Sequence, residues 1–71
     1  MSDDGFNMSL RRFLKRVGVT SQAKIEEAVR DARAAGSLRG RRSVKARMVL
    51  TIEGLDTEHV VEGEISLDQG R

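Results

Sequence analysis

The chain contains no cysteine, tryptophan or tyrosine, one histidine and two phenylalanines. Without cysteine there are neither disulfides nor thiolate metal sites, and His59 alone cannot build a structural zinc centre. With Phe6 and Phe13 as the only aromatic side chains, recognition of RNA or single strands by base stacking is poorly supported. No apolar run approaches the roughly 20 residues that a membrane-spanning helix needs. The start, Met1-Ser2-Asp3-Asp4-Gly5, is acidic and polar, unlike a secretory signal, so a cytoplasmic protein is expected.

A chain of 71 residues makes one domain (1–71), close to the lower limit for independent folding. With disulfides and metals gone, a second chain or unusually good packing must supply the missing stability. Self-association is the expectation. The charge is unevenly spread: through Arg47 there are twelve basic and five acidic residues (+7), and beyond it one basic and six acidic (−5). Such a split suits either a basic surface for nucleic acid or two halves that complement each other.

Residues 1–6 read as a disordered lead. Ser9 carries an N-cap signal, with Met8 and Phe13 placed as a hydrophobic staple. Leu10, Phe13, Leu14 and Val17 then fall on one helical face. Gly18 reads as a left-handed cap, with Val19 folding back onto Leu14. Thr20 or Ser21 caps a second helix, in which Ile25, Ala28, Val29 and Ala32 repeat the spacing and Glu26 pairs with Arg30. Gly36 stops it after Ala34-Ala35, giving a helix pair over 9–35.

Residues 36–43 form a basic hinge. From Val44 the period changes to two: Val44, Ala46, Met48, Leu50 and Ile52 alternate with Lys45, Arg47, Val49, Thr51 and Glu53. After Gly54-Leu55-Asp56-Thr57, a second strand places His59, Val61, Gly63, Ile65 and Leu67 on the inner side. The pattern predicts a β-hairpin over 44–67, followed by a polar tail, 68–71. A two-residue turn at Gly54-Leu55 pairs Arg47 with Glu62, Lys45 with Glu64 and Val49 with Val60, whereas a four-residue loop pairs Arg47 with Glu64; patterning leaves both open.

The fold class expected is therefore α+β, with two N-terminal helices packed on a C-terminal antiparallel hairpin. Because a lone hairpin is marginal in water and exposes both edges, dimerisation is expected to complete it, by a four-stranded sheet or by a domain swap about the hinge. Met48, Val49, Leu50, Val60 and Leu67 are the candidate dimer-interface residues.

Several motifs yield to plainer readings. Gly18-Val19-Thr20 resembles the turn of a helix-turn-helix, but the apolar anchors Ile25 and Ala28 fall one residue late and Leu14 occupies a site usually small. The run Arg39, Arg41, Arg42, Lys45, Arg47 could grip phosphate, but Lys45 and Arg47 are better used against Glu62 and Glu64. Helix one, with Arg11, Arg12, Lys15 and Arg16 opposite its apolar face, has the look of a membrane-surface helix, yet that face is needed to cover the sheet. Glu62 and Glu64 share a flat outer face and not a cleft, His59 has the opposite parity and reads as a structural histidine at the rim of the core, and Gly63 suggests a bulge or a close approach under Phe13.

Residues 6–22, Phe6 through Gln22, and the stretches Met48–Leu55 and His59–Ile65 resemble a family of short uncharacterised bacterial proteins, a domain of unknown function of about this length. The resemblance implies one intact domain in a bacterial cytoplasmic protein and transfers no activity, ligand or catalytic residue. The expected role is thus a small homodimeric, non-enzymatic interaction protein with no cofactor, metal, membrane or small-molecule substrate, open to an unidentified macromolecular partner. The alternative is weak, sequence-independent nucleic-acid binding through Arg39, Arg41 and Arg42 with Arg11, Arg12 and Lys15.

Overall fold

A computed structural model of the chain describes residues 4–68. Its elements are helix α1 (Asp4–Ala35) and strands β1 (Ser43–Thr51) and β2 (Glu58–Ser66). They fall into two compact units, Met1–Arg39 and Gly40–Arg71.

The expected helix pair is instead one helix of 32 residues, about 48 Å long at 1.5 Å per residue. It begins at Asp4, where a carboxylate suits the positive end of the helix dipole. Residues 4–6 of the expected lead are therefore helical, and residues 1–3 lie outside the described residues. Ser9 stands inside the helix and caps nothing. Gly18 is helical too; among the described residues the glycines with positive φ are Gly36, Gly40 and Gly54.

Thr20 shows why no second helix starts here. Its hydroxyl donates to the Arg16 carbonyl one turn back at 2.8 Å, as a threonine does inside a helix. An N-cap would instead accept an amide hydrogen from the turn ahead. The inward row keeps its phase across Gly18: Val17, Ser21, Ile25, Val29 and Ala32, spaced by four and three, are all half-buried. A glycine in a helix interior costs about 1 kcal/mol relative to alanine, less than abandoning the hydrogen bonds that bridge it. Further along, Glu26 accepts a hydrogen bond from the Gln22 amide at 3.1 Å in place of the expected Arg30 pair, and Lys24 reaches Glu27 at 3.4 Å.

The helix ends where the sequence says it should. Gly36 (φ 79) turns left-handed, its amide donates to the Arg33 carbonyl at 3.1 Å, and the Ser37 amide donates to the Ala32 carbonyl at 2.9 Å. These two bonds make a Schellman cap. Because a β-branched residue is strained in this conformation, Gly36→Val is expected to cost about 1–2 kcal/mol of helix stability. Gly36→Asn should cost less, and a thermal melt followed by circular dichroism compares the two.

The hairpin is regular from Ser43↔Ser66 to Thr51↔Glu58, with Arg47 opposite Glu62 and Val49 opposite Val60. This is the first of the two registers expected. The ladder stops at Thr51 and Glu58, and residues 52–57 close the turn. The Leu55 amide donates to the Ile52 carbonyl at 3.0 Å and the Thr57 amide to the Leu55 carbonyl at 2.9 Å. Gly54 (φ 85) takes the third position of the first turn, which requires a left-handed residue.

The sheet is two-stranded and open. Gly63 makes no bulge: it pairs with Ala46 in an unbroken ladder, and a Cβ built there meets no atom within 4 Å. No described residue is buried. The core expected around His59 and the strand's inner side is absent among the described residues, and His59 is exposed opposite Leu50.

Candidate interaction surface

Alternation along the two strands sorts their side chains by face. One face carries Val44, Ala46, Met48 and Leu50 with His59, Val61, Gly63 and Ile65. The other carries Lys45, Arg47, Val49 and Thr51 with Glu58, Val60, Glu62 and Glu64. On the apolar face Met48 is 43% and Val61 54% exposed. Leu67, just beyond β2, is half-buried.

The charged face contains one ion pair, Arg47 Nε to Glu62 Oε2 at 3.3 Å, both side chains more than half exposed. An exposed pair of this kind contributes roughly 0–1 kcal/mol, so it orders the strands more than it stabilises them. Beside it lies the apolar cross-strand pair Val49–Val60, exposed on a face otherwise charged. Four of the five candidate interface residues, Met48, Val49, Leu50 and Val60, are thus gathered in the half of the hairpin nearer its turn.

The backbone adds a feature that side-chain patterning did not reach. The Leu67 amide donates to the Arg42 carbonyl at 2.8 Å, continuing the register of the ladder. Hydrogen-bonded and non-hydrogen-bonded pairs alternate in an antiparallel ladder. Val44, Ala46, Met48 and Leu50 therefore direct their amides and carbonyls at β2. Ser43, Lys45, Arg47, Val49 and Thr51 direct theirs outward, along a free edge of nine residues with neither proline nor glycine.

The candidate nucleic-acid residues divide between the two units. Arg11, Arg12 and Lys15 lie exposed on α1, and with Arg16 they occupy one face at spacings of one, four and five. Between Gly5 and Ile25 the helix carries no acidic side chain. Arg39 follows the helix in the first unit, its guanidinium beside Gly36 at the negative end of the helix dipole. Arg41 and Arg42 belong to the second unit, where the Arg42 carbonyl is tied to Leu67. Among the described residues no group of three or more His, Asp or Glu is placed to hold a metal ion, and no helix is long and apolar enough to cross a membrane.

Residues 1–68 match the model of a family of unknown function, DUF6494. The chain belongs to this family. The match takes in both units and agrees with the resemblance read from residues 6–22, 48–55 and 59–65. No curated protein and no solved structure matches the chain. Membership in DUF6494 thus supplies no activity to transfer, and a role must be argued from the exposed helix, the hairpin and its edge.

Proposed function

We propose that this DUF6494 chain works as a homodimeric interaction module, acting by binding and not by catalysis. The observation that carries the reading is the exposure of both apolar surfaces. Phe6 (66%) and Leu14 (53%) on α1, and Met48, Leu50 and Val61 on the hairpin, are all exposed, and no described residue is buried. A two-stranded hairpin needs a further strand or a packed partner to be stable, and in proteins most helix stability comes from burying an apolar face. Apolar surface of this kind marks interaction sites. The ionisable side chains that could do chemistry stand on flat, exposed faces, and Glu62 is engaged by Arg47.

Sedimentation equilibrium at micromolar concentration tests the reading. The expected mass is twice 7.9 kDa, with dissociation on dilution. A mass of 7.9 kDa throughout, in a chain that keeps its helix and strand signals, would exclude it.

One observation favours a second reading, weak nucleic-acid binding: the uninterrupted basic face of Arg11, Arg12, Lys15 and Arg16. Retention on heparin should then fall steeply with salt, because released counterions drive such binding. The triple variant Arg11→Ala, Arg12→Ala, Lys15→Ala should lose it. No retention at low salt would end this reading and leave the dimer untouched.

A further inference from the structure

We infer that two copies join through the free edge of β1, antiparallel, with Met48 on the two-fold axis. This inference rests on the homodimeric reading above and gives it a surface and a register. The backbone sets the first constraint. Lys45, Arg47, Val49 and Thr51 point their amides and carbonyls away from β2, so they form the hydrogen-bonded pairs of any new ladder.

Charge sets the second. Two-fold pairing of identical strands that keeps the apolar residues on one face must centre on a residue. Centring on Arg47 sets Arg47 against itself, and centring on Ala46 sets Lys45 against Arg47 of the second copy. Centring on Met48 sets Arg47 against Val49 and Lys45 against Thr51. Centring on Val49 shortens the overlap to residues 47–51. Like charges directly opposite are destabilising, so the Met48 register is the longest that opposes none.

In that register Met48 faces Met48 and Ala46 faces Leu50 of the second copy, which makes the apolar faces of the two hairpins continuous. Arg47 keeps its head on Glu62 and lays its aliphatic stem along the second copy's Val49. The edge of β2 offers no such register. Centring on Val60 sets Glu58 against Glu62, on Val61 Glu58 against Glu64, on Glu62 the residue against itself, and on Gly63 Glu62 against Glu64. The sequence leaves β2 acidic along its outer face and β1 free to pair.

Because the chain has no cysteine, single-cysteine variants report the interface without background. Residues opposite each other in a non-hydrogen-bonded pair have Cβ atoms about 4.5–5.5 Å apart or closer, near the roughly 4 Å that a disulfide needs. Met48→Cys should therefore oxidise to a covalent dimer in high yield, and Val61→Cys on β2 should not. Val49→Pro removes an outward amide while leaving the pairing with β2 intact, since an edge strand tolerates proline there. It should weaken dimerisation by roughly tenfold or more while strand content persists.

If the wild-type mass is dimeric but Val61→Cys cross-links as readily as Met48→Cys, or Met48→Cys stays reduced, the β1 interface is wrong and the homodimer stands. The same holds if Val49→Pro folds and dimerises as before. A single-chain mass overturns both.

Discussion

Gly18→Pro should cut α1 in two and cost about 3 kcal/mol or more, while Gly18→Ala should strengthen the helix by about 1 kcal/mol. The sign of the alanine effect carries the information. In α1 the Gly18 backbone is helical, and a Cβ built there meets no atom within 4 Å, so alanine removes only the entropic handicap of glycine. Were Gly18 a left-handed cap between two helices, alanine would be strained and would cost about 1–2 kcal/mol. Proline at this position loses the amide that bonds to the Leu14 carbonyl and crowds that carbonyl with its ring. Far-UV circular dichroism on heating reads both variants against the wild type. The expected shifts are opposite, alanine upward and proline downward.

The second large effect is a dependence of stability on protein concentration. An isolated hairpin of this length is marginal, and association with a second copy would stabilise it by mass action. Dilution from about a thousandfold above the dissociation constant to near it should remove on the order of 4 kcal/mol of apparent stability. The loss should appear in the signal of residues 43–66, because those residues form the hairpin. Proton chemical shifts of Val49 and Val60, recorded across a dilution series, would show it. A hairpin as stable at the lowest concentration as at the highest would mean that it needs no second copy.

The hairpin was legible in the sequence because its signals agree. A period of two runs from Val44 to Ile52, Gly54 supplies the left-handed turn position, and a second period-two run follows. The register stayed open between two in the sequence, and the ladder decides it. The observed one sets Arg47 against Glu62, Lys45 against Glu64 and Val49 against Val60. The alternative, two residues out, would set Val49 against Glu62.

The helix misleads because Gly18-Val19-Thr20-Ser21 offers every local element of a stop and restart. What overrules it is the phase of the stripe, which passes from Val17 through Ser21 to Ile25 without a reset, and the lack of any proline in the chain. A true break between packed helices re-aims the second apolar face, and this one stays in line. At Gly36 the stop is real, because its left-handed φ and the two cap bonds end the helix there.

The candidate surface was legible in its side chains and not in its edge. Met48, Val49, Leu50 and Val60 stand out as apolar residues on two paired strands, and all four are exposed. Which of their amides face outward depends on the hydrogen-bonding phase of the ladder, which the Leu67–Arg42 bond fixes and residue types do not encode.

Amide hydrogen exchange along β1 tests the central claim most directly. If two copies pair through this edge, the outward amides of Lys45, Arg47, Val49 and Thr51 should be protected to the same degree as the inward amides of Val44, Ala46, Met48 and Leu50, and the two sets should lose protection together on dilution. Outward amides that exchange freely at high concentration, beside inward amides that do not, would show a hairpin with an open edge and contradict the account.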